Sequence, residues 1–121
     1  MRQFVVDARR LAEAKEHFRE VIHSTDQTQI GVMVVAPFEE FAEEPARPGS
    51  DLVLVVVKGK AVLTMDDDEY DLAKSSLALI PAGTGYAVHN TSKKTLRMVT
   101  ISSPPMLAAR GTPRKRSAPR K

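Results

Sequence analysis

The chain has 121 residues, 18 Lys and Arg against 15 Asp and Glu, 42% hydrophobic residues and only 5% aromatic ones, a composition that fits one domain with an aliphatic core and excludes two. It contains no Cys, which rules out a disulfide framework, a thiolate zinc site and a cysteine nucleophile. No apolar run approaches the roughly 18 residues of a membrane span, and residues 1–20 carry charges throughout, so a soluble, cytoplasmic chain with neither a leader nor a membrane anchor is expected.

Phe4, Val5 and Val6 open the chain as a short apolar strand, and Asp7 is placed to cap a helix. Leu11, Ala14, Phe18, Val21 and Ile22 recur at helical spacing, which predicts one amphipathic helix ending between His23 and Asp26. From Ile30 to Ala36 a β-branched run predicts a strand, closed by Pro37. Glu39, Glu40, Glu43 and Glu44, with Pro45, Pro48 and Gly49, then read as an acidic loop.

Leu52 to Val57 is apolar at every position, the mark of a strand buried on both faces. Lys58-Gly59-Lys60 turns it into Ala61 to Met65, and Asp66-Asp67-Asp68 makes the next tight turn. Tyr70 to Leu72, Leu77 to Ile80, Tyr86 to Asn90 and Leu96 to Ile101 follow as short strands between polar turns. Strands at this spacing after a single helix predict an all-β sandwich or barrel.

The net charge of +3 is unevenly spread. Arg110, Arg114, Lys115, Arg116, Arg120 and Lys121 stand in the last dozen residues with no acid among them. Removing those six leaves 12 basic residues against 15 acidic ones in the body. A basic, disordered tail is expected at 106–121. It would offer salt-sensitive, unspecific attraction to nucleic acid or an acidic partner, or else fold back on the mildly acidic body.

The segment Leu77-Ala78-Leu79-Ile80-Pro81-Ala82-Gly83-Thr84-Gly85-Tyr86-Ala87-Val88-His89-Asn90 resembles the second motif of the cupin superfamily, G-x5-P-x-G-x2-H-x3-N, and residues 44–59 are similar to its first, H-x-H-x3-4-E-x6-G, ending on Gly59. The resemblance implies a double-stranded β-helix, or jelly-roll barrel, with one N-terminal α-helix. The parts would be a strand and helix at 1–27, the barrel at 28–105 and the tail at 106–121. It also implies a homodimer. The family's motifs carry His and Glu ligands for a divalent metal, a donor set suited to Mn, Fe, Ni, Cu or Zn. Here the first-motif His positions fall at or near Pro45 and Arg47, the Glu position on Leu52, and the second-motif His position on Tyr86. No metal ligand, cofactor or catalytic residue is therefore expected.

Strand alternation sorts the remaining candidates. With Tyr86 facing inward, Val88 and Asn90 share its face and His89 points away from it. By the same alternation Leu52 and Leu54 line the opposite wall, with Arg47 at the mouth. Arg47, Leu52, Leu54, Tyr86, Val88 and Asn90 would then form a pocket with apolar walls and a few polar groups, suited to a small, partly apolar anion. The plainer alternative is that these side chains fill the barrel and that Arg47 pairs with Glu43, Glu44 or Asp51. His17 and His23 read as surface or capping residues. Asp66 to Glu69 lacks the spacing of a calcium loop, Gly83-Thr84-Gly85 lacks the Lys and helix of a phosphate loop, and no base accompanies Ser75, Ser76 or Thr84.

The function expected is therefore that of a metal-free domain that binds a small ligand or serves a structural or regulatory interaction. Two alternatives stand beside it. One is a metal-dependent isomerase or oxygenase acting on a sugar or small organic acid. The other is a binder of nucleic acid or an acidic partner through the tail.

Overall fold

In a computed structural model of the chain, residues 4–43 and 49–105 are described. Arg47 and the basic residues of the tail lie outside the described residues. The fold is a sandwich of two antiparallel sheets. One has the order β1 (Arg19–Ser24), β2 (Gln29–Val35), β9 (Leu96–Ser103), β4 (Asp51–Lys58) and β7 (Leu77–Ile80). The other has the order β3 (Glu40–Glu43), β8 (Tyr86–His89), β5 (Ala61–Met65) and β6 (Asp68–Leu72). The all-β jelly-roll with one leading helix follows from the alternation in these strands.

Each sheet turns one row of side chains inward. Met33 and Val35 on β2, Leu96 and Met98 on β9, and Leu52, Leu54 and Val56 on β4 meet Leu63, Tyr86 and Val88 of the facing sheet in one core. Burying aliphatic side chains of this kind is worth about 1.5–3 kcal/mol each. The outer face of the five-stranded sheet carries Val32, Val57 and Val99, covered by Ala12 of the helix α1 (Ala8–Ala14). This explains why Leu52 to Val57 is apolar throughout. Even positions fill the sandwich, and Val55 and Val57 take part in the outer cluster beneath the helix.

Asp7 caps α1 as expected, its carboxylate accepting from the Arg10 backbone N–H at 3.0 Å. The helix stops at Ala14, however, and the stretch predicted to continue it is β1, paired with β2. A bulge between Val21 and His23 explains the misleading pattern. The register slips by one residue between Val21 and His23, leaving Ile22 without a paired residue on β2, and such a slip breaks the period of two by which a strand is read. Val21 and Ile22 are β-branched, and pairing with β2 outweighs their weak helical preference.

A second correction concerns the acidic loop. Glu40–Glu43 is the strand β3, paired with β8 from Glu40↔His89 to Glu43↔Tyr86. Phe41 and Glu43 are its half-buried positions and Glu40 and Ala42 its exposed ones. Inward use of a glutamate hid this alternation.

The turns behave as their residues demand. Gly59 has φ +102°, and a Cβ there would lie 3.0 Å from Leu96 Cα, so both backbone conformation and space call for glycine. In the β7–β8 turn the Thr84 N–H donates to the Pro81 carbonyl at 3.1 Å. The Ala82 N–H donates to Asp51 Oδ1 at 2.8 Å, fastening the turn to the start of β4. At the far edge of the larger sheet, β7 leaves Leu77 70% and Leu79 53% exposed.

Candidate functional site

The two ends of the sandwich differ in how their buried polar groups are satisfied. At one end β7 passes through residues 81–85 into β8, so Tyr86, Ile80, Leu52 and Ser102 belong to that end, as the pairings Leu52↔Ile80 and Leu52↔Ser102 require. At the other end β8 runs out at His89 and Asn90 before the turn into β9.

Tyr86 is buried at the first of these ends, and its phenol donates to Glu43 Oε1 at 3.0 Å. The same carboxylate oxygen lies 3.5 Å from Arg19 Nη1. The Arg19 guanidinium sits 5.6 Å from the centre of the Phe41 ring, a cation–π distance. Phe41 meets Tyr86 edge-on at 6.0 Å and Phe18 at 4.7 Å. Arg19 and Glu43 stand on β1 and β3, the edge strands of the two sheets, so their ion pair ties the sheets together along one side. Burial drives the Tyr86 phenol well above its ordinary range. The Arg19 charge opposes this, while the Glu43 charge and hydrogen bond add to it. At neutral pH Tyr86 is therefore a protonated donor.

Further along the inner face of β9, Thr100 and Ser102 are 7% and 5% exposed. Neither side-chain hydroxyl has a hydrogen-bond partner among the described residues. Thr100 Oγ1 lies 2.9 Å from where a Cβ at Gly31 would stand, so the glycine makes the space that this hydroxyl occupies.

Asn90 is also fully buried, but it does not join this group. Its amide Nδ2 donates to the carbonyls of Val35, Ala36 and Lys94 at 3.0, 3.2 and 2.8 Å, and Oδ1 accepts from the Ser92 N–H and hydroxyl. Its capacity is spent on holding the β8–β9 turn against the end of β2, at the opposite end from Tyr86. The pocket expected from the sequence thus loses Asn90. Leu52, Leu54 and Val88 are core residues with at most 3% exposure, and of the expected polar groups Tyr86 alone is described at its end. The guanidinium beside it comes from Arg19 instead. Sequence reading missed Arg19 and Glu43 because each was assigned to the wrong element, a helix and a loop.

His89 is exposed, as alternation required, and His23 stacks on Phe4 at 4.6 Å. Among the described residues no three His, Asp or Glu side chains converge as a metal would need. No helix among them is long and apolar enough to cross a membrane. A groove of about 450 Å³ lies outside the sandwich, lined in part by Glu16, Phe18 and Arg97. Arg97 is already committed there to the carbonyls of Ala12 and Lys15.

A family model described as the cupin domain matches residues 31–102. The chain belongs to the cupin domain family. Among solved structures, this cupin is similar to the Bacillus halodurans protein BH2720, with 27% identity, coverage of 92% of this chain and 87% of that one, and a TM-score of 0.85. The Thermus thermophilus protein TT1209 shares the fold at 22% identity, covering 83% of this chain and 96% of that one with a TM-score of 0.68. Convicilin of Pisum sativum is 37% identical over 65 residues, which are 50% of this chain but only 17% of that protein. The β-conglycinin α′ subunit of Glycine max is 35% identical over 65 residues, again 50% of this chain and 10% of that protein. The cupin described here therefore spans a small part of those two relatives.

Proposed function

We propose that this cupin domain is a metal-free binding protein for a small organic molecule, held at the Tyr86 end of the sandwich. The observation that carries the reading is the chain Tyr86–Glu43–Arg19, in which Tyr86 occupies the second-motif position where the family resemblance puts a metal-binding histidine. A protonated phenol is a poor ligand, and a guanidinium 3.5 Å from the Glu43 carboxylate repels a cation. Leu52, at the family's Glu position, is packed in the core. These groups do not suit a divalent metal. They suit hydrogen bonding to an organic ligand between apolar walls, the usual make-up of a small-molecule site.

The test is elemental analysis of protein purified without a histidine tag, with thermal-shift titration of Mn, Fe, Ni, Cu and Zn on the same sample. Metal far below one equivalent, with no stabilisation by any of the five, is the expected result. Near-stoichiometric metal would overturn the reading and put the isomerase or oxygenase alternative first.

A homodimer is supported by a separate feature. β7 is an edge strand whose four residues, Leu77-Ala78-Leu79-Ile80, include neither charge nor proline, the devices that ordinarily protect such an edge. Its exposed leucines, and an edge that pairs with no strand among the described residues, suit antiparallel pairing with a second copy about a two-fold axis, where each strand meets its own like. Sedimentation equilibrium should give a dimer that Leu79→Lys shifts toward monomer. A monomer in the unmodified protein at all concentrations would remove the proposal.

A further inference from the structure

The balance of donors and acceptors around Tyr86 limits the chemistry that this end of the sandwich can receive. Arg19 carries five N–H donors in a planar fork, and its side chain is only 12% exposed. Among the described residues its one polar contact is Nη1 to Glu43 Oε1 at 3.5 Å, long for a hydrogen bond. Nε and Nη2 have no partner there. Thr100 and Ser102 add two buried hydroxyls without partners among the described residues, each with one donor and two acceptor lone pairs. On the acceptor side stand Glu43 Oε2 and a lone pair of the Tyr86 oxygen, since Glu43 Oε1 already serves both Tyr86 and Arg19. The unpaired N–H groups of Arg19 outnumber the one free oxygen of Glu43, and buried donors left unmade are costly.

What is missing is a compact group rich in acceptors. A carboxylate offers two oxygens in the plane and at the spacing of a guanidinium edge. Its charge is also the right size. Glu43 already offsets Arg19, so a dianion such as a phosphate would set two further negative charges against the one cation that the described residues put there, in a poorly solvated place. A monoanion adds one. Phe41, half-buried beside Tyr86 at 6.0 Å, is the apolar surface next to the guanidinium.

Building on the binding reading above, we propose that the ligand is a small monocarboxylic acid with an apolar body, its carboxylate docking on the open edge of the Arg19 guanidinium and its body lying against Phe41 and Tyr86. Arg19 is then the residue that selects acids over their neutral counterparts.

The experiment titrates the full chain with benzoate and hexanoate and, in parallel, with benzamide and hexanamide, which keep the shape and lose the charge. Binding is read by calorimetry and by backbone amide shifts in NMR spectra. The acids should bind at least about tenfold more tightly than the amides, with shifts at β1, β3 and β8. Arg19→Gln should erase that preference, and Arg19→Lys should keep part of it. Equal affinity for acid and amide, with shifts still centred on Tyr86, would overturn the proposal and leave the binding site standing. If none of the four probes moves resonances around Tyr86, the binding-site reading falls together with this one. Should Arg19→Gln fail to fold by circular dichroism, the comparison of acid with amide on the unmodified protein decides alone.

Discussion

Tyr86 and Asn90 belong to the same inward row of β8 and its continuation, both are buried, and they are used in opposite ways. Asn90 has its whole amide engaged, with Nδ2 on three carbonyls and Oδ1 on two donors of Ser92. Tyr86 makes one hydrogen bond, to a carboxylate that is shared with Arg19. One end of the strand is closed hydrogen-bond chemistry, and the other has capacity to spare. A satisfied buried amide is architecture. A buried cluster with surplus donors is where an added molecule would gain most, because its partners are already desolvated.

The sharpest way to break the comparison is Asn90→Ala. It strands three carbonyls and loosens the β8–β9 turn, so unfolding in urea should show a loss of about 3 kcal/mol. A loss below about 1 kcal/mol would mean that water replaces the amide and that the two ends are less different than they look. At the Tyr86 end, Gly31→Ala would bring a Cβ to 2.8 Å from the Glu20 carbonyl oxygen and 2.9 Å from Thr100 Oγ1. Crowding of that kind costs about 1–3 kcal/mol, and denaturation curves should show it.

Tyr86→Phe should have the smallest effect on stability near neutral pH, within about 1 kcal/mol, since one hydrogen bond is lost and the ring remains. Its pH dependence is more telling. Burial, reinforced by Glu43 against the opposing effect of Arg19, raises the Tyr86 phenol above its unfolded value. The folded protein therefore keeps a proton that the unfolded chain releases above about pH 10. The linked stability is complete below that pH and declines as pH rises beyond it. Equilibrium unfolding between about pH 9 and pH 11 should show this decline in the unmodified protein, and Tyr86→Phe should lack that part of it. An unchanged slope in the variant would mean that Tyr86 titrates as an exposed phenol does.

Much of this was legible in the sequence. Alternation in Leu52 to Val57 and in Tyr86 to Asn90 gave the inward rows correctly, and Gly59 and Asp66-Asp67 marked their turns. The two failures share a cause. In β1 a bulge disrupted the period of two, and in β3 an inward position holds a charge. Pattern reading assumes regular pairing and apolar interiors, and each strand violates one of those assumptions at a residue that belongs to the candidate site or adjoins it.

The sequence by itself determined the family, the two-sheet architecture and the face on which Tyr86, Val88 and His89 would lie, because side-chain direction in a regular strand follows from local geometry alone. Only the tertiary structure decided that Arg19, Glu43 and Tyr86 meet. They are distant in the chain, and they converge because β1 and β3 are the edges of different sheets that close on the same side of the core. Such a contact depends on how the two sheets pack, and no local pattern of residues encodes it.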